Sequence, residues 1–186
     1  MNKQYKPLFT SWKIGDVEIK NRIVLCPMGG TSLFGWMEKH HFDKDAAEFF
    51  LDKAKNNVGL IIPGIAPLKG LMGGKWLYKN KGPFKKLKNY MEEIHETGAK
   101  LFIQLTAGFG RSFSIPNMMV PIIKSKFLSA ILKPVIDLRY LCASPSALPS
   151  RWAEDYICRE ITQDEIKKII YAYAETAKLC KEAGVD

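Results

Sequence analysis

The chain has 186 residues, a net charge of +9, 47% hydrophobic residues and 25% charged residues. This length suits one domain, and the apolar content suffices for a packed core, which excludes wholesale disorder. The longest stretch without Asp, Glu, Lys or Arg runs from Ile23 to Met37 and contains one proline and three glycines. A membrane-spanning helix needs about 20 mainly apolar residues, so we expect no membrane partner.

The amino-terminal residues are polar and basic, without the apolar segment of a secretory signal, which indicates a cytoplasmic protein. Four cysteines are scattered through the chain without a CxxC pair. This spacing favours reduced thiols over a disulfide scaffold and supports no zinc or cluster ligation, so no metal site is predicted. The cysteines are Cys26, Cys142, Cys158 and Cys180.

The first elements are a hairpin, a strand and a helix. Phe9 to Ile19 alternates loosely around Gly15-Asp16, which predicts a short hairpin. Arg22 to Pro27 is a compact, β-branched run that predicts a buried strand ending in a loop. Apolar residues at helical spacing then predict a helix from Asp43 to Lys55, with Asp43 as its N-cap.

Two further apolar runs and a second amphipathic segment follow. Val58 to Ile62 predicts a second buried strand, which ends in a proline and a glycine. A helix is expected from about Phe84 to Glu96, with Gly98 as its C′ residue. Leu101 to Leu105 predicts a third strand, which leads into a glycine-rich loop.

The last part of the chain is irregular and then helical. Residues 112–150 contain five prolines, which excludes one long regular element, and Lys124 to Ile136 predicts a short, basic, amphipathic helix. Thr162 to Glu165 is a capping box that begins a final helix, which ends at Gly184. The prolines are Pro116, Pro121, Pro134, Pro145 and Pro149. The expected apolar face of the final helix comprises Ile166, Ile169, Ile170, Tyr173, Ala177 and Cys180.

This order of elements predicts an α/β fold of three β/α units around a parallel sheet. Ligands of such folds gather at the carboxyl ends of the strands, here Pro27-Met28-Gly29, Pro63-Gly64 and Gln104. Glycine lets a flat ligand approach the backbone, and the Gln104 carboxamide matches the donor and acceptor edge of a heterocyclic base. A turn requirement at each glycine and a buried structural glutamine are the alternatives. Because all three features stand at strand ends, a ligand site is favoured.

The basic excess is concentrated in two segments. Residues 69–100 hold eight Lys against three Glu, and residues 111–151 hold six Lys or Arg against one Asp. Such segments attract phosphate-bearing partners, although solvated lysines on helix faces and loops are the favoured explanation. Nucleic-acid binding is disfavoured, because aromatic residues do not interleave regularly and no nucleic-acid motif is present.

Several short segments together carry a family resemblance. They are Leu8-Phe9 with Ile14-Gly15, Ile19 to Val24 before Pro27-Met28, Gly59 to Ile62 with Gly64 to Pro67, Gln104-Leu105, Ala143 to Ala147 and Lys181 to Asp186. In this order along nearly the whole chain, they resemble the Old Yellow Enzyme family of FMN-dependent oxidoreductases. The likeness is greatest to the branch of 2,4-dienoyl-CoA reductases, 2-enoate reductases and related NADH:flavin oxidoreductases.

The resemblance implies a TIM (β/α)8 barrel, of which residues 1–186 would cover the hairpin and roughly the first three β/α units. It implies FMN across the carboxyl-terminal face, with Pro27, Met28 and Gly29 along the flavin, Gly64 beside the ring and Gln104 at its pyrimidine edge. NADH or NADPH would reduce the flavin, which would pass hydride to an electron-poor alkene of the enoate or enoyl-thioester type.

The sequence departs from the family at two positions. Many relatives carry Cys, Thr or His where Gly29 stands, so the family's control of flavin potential cannot be carried over. The segment from Gln104 to Arg111 lacks the family's histidine and has one extra residue, so a structural or solvent-facing role for Arg111 is at least as well supported as a site role. His40, His41 and His95 are expected to be surface or capping residues.

The family's substrate-binding His pair, its proton-donating Tyr and its FMN-phosphate loops belong to later strands of the barrel, so no catalytic residue is predicted here. In this branch a 4Fe-4S site and an FAD-type nucleotide domain would also follow. We therefore expect the chain to be the amino-terminal part of a larger enzyme, with little turnover by itself. A homo-oligomer is a further expectation for the full-length form. The alternative function is a non-catalytic, basic, polyanion-binding module.

Overall fold

The computed structural model describes residues 3–36, 38–72, 74–113 and 117–186, so Pro116 lies outside the described residues. A 3₁₀ helix (Lys3–Phe9) precedes a hairpin of strands β1 (Trp12–Ile14) and β2 (Val17–Ile19). The two strands are antiparallel, and Ile14 pairs with Val17 across the Gly15-Asp16 turn. Gly15 has a φ of 56°, which an L side chain rarely adopts. The predicted hairpin is confirmed.

A three-stranded parallel sheet positions the elements that follow. It contains β3 (Val24–Leu25), β4 (Leu60–Ile61) and β6 (Lys100–Leu101), in the order β3-β4-β6. The parallel arrangement agrees with the prediction, but the strands are shorter than the apolar runs. β3 is also half-buried rather than buried, because it stands at one edge of this sheet while β4 stands at its centre.

The run from Leu101 to Leu105 does not form the single strand that was predicted. It breaks after β6 and resumes as β7 (Leu105–Thr106), which pairs in parallel with β5 (Ala66–Pro67). The break follows from the backbone bonding. β4 and β6 stop pairing after Ile61 and Leu101. The two segments pair again as β5 and β7, where the Ala66 N–H donates to the Gln104 carbonyl at 2.8 Å.

Two helices cover the sheet. Helix α1 (Lys44–Lys55) begins as predicted, with the Asp43 carboxylate accepting the Ala46 N–H at 3.0 Å. Helix α2 (Lys81–Glu96) begins three residues before the predicted start, because Asn80 caps it and accepts the Gly82 N–H. Its Pro83 lies in the first turn, where the missing N–H costs no helical bond.

The space between these helices and the sheet forms the first core. Helices α1 and α2 are joined there by the Tyr90 hydroxyl, which donates to the Ala47 carbonyl at 2.9 Å. The largest fully buried members are Leu33, Phe34, Phe50, Ile61, Leu77, Leu87, Met91, Ile94 and Leu101. This packing explains why the apolar periodicity of the first half predicted its elements.

Residues 110–161 contain 3₁₀ turns (Gly110–Ser112 and Asn117–Met119) and three short helices: α3 (Val120–Lys124), α4 (Lys126–Leu132) and α5 (Leu138–Leu141). The prediction of one helix from Lys124 to Ile136 is therefore wrong. Ser125 has an extended backbone that ends α3, and its hydroxyl caps α4 by accepting the Leu128 N–H. These helices pack on a second core of Leu71, Ile123, Leu138, Leu141, Cys142, Tyr156 and Cys158.

Helix α6 (Gln163–Glu182) has the predicted capping box, and Gly184 with a φ of 89° follows it. Its buried face differs from the prediction, because Ile170 is 63% exposed and the fully buried positions are Ala172 and Thr176, with Cys180 nearby. Small side chains let α6 approach α2 and the 3₁₀ helix Leu77–Lys79. No helix in the described ranges is both long and apolar enough to span a membrane.

Candidate flavin-binding site

The register of the sheet aligns the strand residues that precede three of the predicted site residues. Leu25, Ile61 and Leu101 are paired across β3, β4 and β6. Met28, Gly64 and Gln104 each follow one of these paired residues by three positions. The three predicted residues therefore stand at equivalent sequence positions beyond the ends of three adjacent strands.

Gly64 owes its identity to the packing of two loops. Its N–H donates to the Thr31 carbonyl at 2.6 Å, and Thr31 in turn bonds through its hydroxyl to the Met28 carbonyl at 2.9 Å. A Cβ on Gly64 would overlap the Met28 carbonyl oxygen and lie 2.8 Å from the Thr31 oxygen. Gly64 is consequently buried under the loop that follows β3, and the close approach that it permits here is that of the protein's own backbone.

Gln104 differs from the buried structural glutamine that was the alternative. It is exposed, and its backbone carbonyl accepts the Ala66 N–H while its carboxamide makes no hydrogen bond to any described residue. A carboxamide offers both an acceptor oxygen and two donor hydrogens. The Gln104 side chain can therefore pair with the edge of a heterocycle without first breaking an internal bond.

Pro27, Met28 and Gly29 follow β3, an edge strand of the sheet. All three are exposed, with Met28 at 40%, and a Cβ built on Gly29 has no heavy atom within 4 Å. The Gly29 φ lies outside the left-handed range, so no turn conformation requires glycine there. We call the surface formed by Pro27, Met28, Gly29 and Gln104, with Gly64 beneath it, the strand-end shelf.

The strand-end shelf contains no acidic or basic side chain. It offers backbone groups, the thioether of Met28 and one carboxamide, which together suit the binding of a flat, largely apolar ring with a polar edge. Proton or electron transfer would have to come from the bound molecule or from other residues.

Two other groups singled out in the sequence have structural contacts. The Arg111 guanidinium donates to the Pro149 carbonyl at 2.7 Å, which ties two loops together and supports its structural reading. His40 is not a plain surface histidine: it is half-buried, with Nε2 2.8 Å from the Pro67 carbonyl. Burial lowers the pKa of His40, against the opposing effects of the Pro67 carbonyl and Glu38.

Asp186 forms the most connected ionic cluster of the described residues. Its carboxylate lies 2.8 Å from Lys100 Nζ and 2.9 Å from His95 Nε2, and it accepts the Leu101 N–H at 3.0 Å. Burial acts to raise the pKa of Asp186, but these three hydrogen bonds outweigh it and hold the pKa below its ordinary value. His95 is exposed, which agrees with the expected surface or capping role, and its ring also makes a specific contact with the Asp186 carboxylate.

Sequence reasoning missed one basic cavity. It has a volume of about 540 Å³ and is lined by Lys39, Lys75 and Lys79 together with His40 and Asn80. The lysine-rich composition after β5 was a signal for it. That composition did not reveal that Lys39, from the loop before α1, would join the other two lysines.

A partial parallel β/α fold with exposed residues after its strand ends is typical of β/α-barrel proteins. Comparison with known families gives the identity. The chain belongs to the NADH:flavin oxidoreductase / NADH oxidase family, whose model matches residues 7–186. The resemblance seen in the sequence, to the flavin oxidoreductases of the Old Yellow Enzyme family, is confirmed.

Individual relatives are longer than this chain. It is 33% identical over 193 residues to the cinnamate reductase of Clostridium sporogenes, covering 100% of this chain and 26% of the relative. It is 28% identical over 191 residues to the NADPH dehydrogenase of Bacillus velezensis, covering 97% of this chain and 46% of the relative. The chain therefore spans between about a quarter and a half of these relatives.

The structural comparison supports the fold. The Old Yellow Enzyme of Pichia sp. AKU4542 matches with a TM-score of 0.65 and 24% identity, covering 97% of this chain and 44% of that chain. At this identity the match speaks to the fold alone, a partial α/β structure of the barrel type. The number of β/α units and the roles of the shelf residues remain predictions.

Proposed function

We propose that this chain is part of an FMN-dependent NAD(P)H oxidoreductase that reduces electron-poor alkenes. The observation that carries the proposal is that Met28, Gly64 and Gln104 each stand three positions after the aligned residues Leu25, Ile61 and Leu101 of three adjacent parallel strands. Membership of the flavin oxidoreductase family supports the same reading. The proposed cofactor would lie on the strand-end shelf.

The shelf residues fit a flavin ring by their chemistry. Pro27, Met28 and Gly29 would line one side of the ring with backbone groups and an exposed thioether. The unpaired Gln104 carboxamide would hydrogen-bond the polar edge of the ring, and Gly64 would keep the two loops packed closely enough to form the shelf. When bound, FMN accepts hydride from a nicotinamide and passes it to a substrate carbon.

The substrate class is inferred from the relatives. A cinnamate reductase and NADPH dehydrogenases are among them, which supports a small alkene conjugated to a carbonyl group and NADH or NADPH as the reductant. We propose that these residues act within a longer protein, because they span only 26% to 46% of those relatives. In that setting a 4Fe-4S centre, FAD and homo-oligomer formation are further proposals, and these residues alone would show little turnover.

The alternative of a non-catalytic polyanion-binding module has less support. Two lysines of the basic segment 69–100 are engaged in internal ion pairs, Lys69 with Asp137 and Lys100 with Asp186. Steeply salt-dependent binding of RNA or DNA would favour this module, since phosphate contacts release counterions. No described contact favours it specifically.

The test is a titration of the purified protein, in the longer form proposed above, with FMN, monitored by the quenching of flavin fluorescence. Wild type should bind, and Gln104→Leu should weaken binding by roughly tenfold, because the hydrogen bonds to the ring edge are lost in a poorly solvated contact. The matched control is Gln163→Leu, which alters an exposed glutamine at the start of α6 and should leave the affinity unchanged. Absence of binding, or equal affinities for the two variants, would contradict the proposal.

A further inference from the structure

The basic cavity near α2 is bounded by three parts of the chain, of which the segment with Lys39 precedes α1 and the other two are joined to each other. One is the loop that follows β5, and the other is the segment before α5, which join through an antiparallel bridge between Met72 and Ile136. Lys39, Lys75 and Lys79 contribute its charged groups. Among the described residues that line it there is no Asp or Glu, so three positively charged side chains line one open cavity.

Two carboxylates close in sequence to the lining residues, Glu38 and Asp137, have partners of their own. The Glu38 carboxylate accepts the Trp36 N–H at 3.1 Å and lies 3.6 Å from His41 Nδ1, and Asp137 is paired with Lys69 at 2.9 Å. None of the ion pairs in the described part of the chain includes one of the three cavity lysines. No ion pair among the described residues neutralises these three lysines, which favours an anionic ligand.

The loop that carries Lys75 and Lys79 is held by backbone hydrogen bonds. The Gly70 N–H donates to the Lys75 carbonyl at 2.8 Å, and the Leu77 N–H donates to the Leu68 carbonyl at 2.8 Å. Lys79 lies in the 3₁₀ helix that follows directly. The two lysines are thus placed by a loop that is already folded, which reduces the ordering cost of binding.

The wall on the side of Lys39 is also fixed. His40 Nε2 lies 2.8 Å from the Pro67 carbonyl, and the Asn80 side chain donates to the His40 carbonyl at 3.0 Å. Asn80 is also the N-cap of α2, so the positive end of that helix adds to the positive electrostatic potential of the lysines. The proposal does not rest on this addition. The cavity is therefore assembled from three segments that are tied to one another.

We propose that this cavity binds the diphosphate group of a small phosphorylated ligand. Three ammonium groups match the charge of a diphosphate, since each phosphate carries about one to two negative charges at neutral pH. A volume of about 540 Å³ also falls in the range of small-molecule sites. The inference does not depend on flavin binding, because none of the shelf residues lines this cavity.

The experiment compares two triple variants that remove the same charge. Wild type, Lys39→Gln/Lys75→Gln/Lys79→Gln and Lys85→Gln/Lys86→Gln/Lys88→Gln are titrated with inorganic pyrophosphate by calorimetry at fixed ionic strength. The second variant is the control, because its lysines are exposed on α2 outside the cavity. Inorganic phosphate and ADP are titrated in parallel, to separate a single phosphate and a nucleotide from the diphosphate itself.

Saturable binding of pyrophosphate by wild type, weakened at least about tenfold in the cavity variant and less than about twofold in the control, would support the proposal. Pyrophosphate and ADP should both bind more tightly than phosphate. The proposal is overturned if wild type shows no saturable binding, if both variants weaken binding equally, or if phosphate binds as tightly as pyrophosphate. FMN titrations of the same variants are expected to match wild type, which keeps the flavin proposal separate.

Discussion

The parallel β/α region and the segment from 110 to 161 reach their folded states by different means. In the first region, apolar periodicity places side chains such as Phe50 and Ile61 in one continuous core. In the second, single contacts between distant side chains and backbone groups hold short helices in place: Tyr140 bonds to the Ala107 carbonyl and Trp152 to the Ser112 carbonyl. One chain therefore combines a region stabilised by a continuous apolar core with a region held by individual side-chain hydrogen bonds.

The two regions also differ in how they treat large apolar side chains. Phe34 and Phe50 in the first region are 1% exposed or less, whereas Met118 and Phe127 in the second are 82% and 73% exposed. The smaller second core includes Cys142, and burial raises the pKa of its thiol to about 12, so this cysteine serves as a protonated packing residue. Most of the free energy of unfolding should therefore come from the first region.

The largest predicted effect tests this difference directly. Phe50→Ala should lower the free energy of unfolding by about 3–5 kcal/mol, because it removes a fully buried ring from the first core. The matched change Phe127→Ala removes an exposed ring and should alter it by less than about 0.5 kcal/mol. Urea unfolding followed by circular dichroism measures both. Equal losses would mean that the two regions share stability evenly.

A smaller effect is expected where the loops after β3 and β4 cross. Gly64→Ala should destabilise the protein by about 1–3 kcal/mol, because the added methyl group would overlap the Met28 carbonyl oxygen. Gly29→Ala is the control: the space around that position is open, so the change should stay within about 0.5 kcal/mol. The same unfolding measurement applies. A harmless Gly64→Ala would show that the loops can separate without cost.

The smallest effect concerns the junction of the irregular segment with α6. Glu165 makes two 2.8 Å bonds to Arg159 and closes the capping box with Thr162. Hydrogen bonding to Arg159 is the largest cause that lowers the pKa of Glu165 to about 2, opposed by burial and aided by Thr162. Glu165→Gln should cost about 1 kcal/mol at neutral pH.

The pH dependence of that cost has a definite sign. A carboxyl group whose pKa is lowered by folding stabilises the protein above its unfolded value and loses this contribution as the pH falls toward the folded value. The difference between wild type and Glu165→Gln should therefore shrink between about pH 4.5 and pH 2. Asp164→Asn, at an exposed neighbouring carboxylate, is the control. A difference that does not change over this range would contradict the proposed pairing.

Elements with local signals could be predicted from the sequence. The Gly15-Asp16 turn, the Asp43 N-cap and the Thr162 capping box each depend on residues within a few positions of one another. The break between β6 and β7 could not be predicted, because it follows from pairing with β5 about 40 residues earlier. The buried face of α6 was misjudged for a similar reason: its partners favour small side chains over the larger isoleucines.

The candidate site divides in the same way. Its residues could be predicted because parallel strands end at one edge, and Met28, Gly64 and Gln104 each follow an aligned strand residue by three positions. The burial of Gly64 under another loop and the exposure of Gln104 depend on how the loops pack, which apolar patterns do not encode. The cavity lysines come from separate loops, so their meeting also required the folded structure.

The two glycines of the strand-end shelf differ in their freedom to vary. Position 64 is locked by neighbouring backbone atoms that cannot move independently, whereas position 29 faces open space with an ordinary backbone conformation. Position 29 is therefore suited to substitution. A cysteine, threonine or histidine there would add a functional group to the strand-end shelf without changing the fold beneath it. One substitution at position 29 is enough to change the chemistry of the strand-end shelf, and the packing around Gly64 need not change.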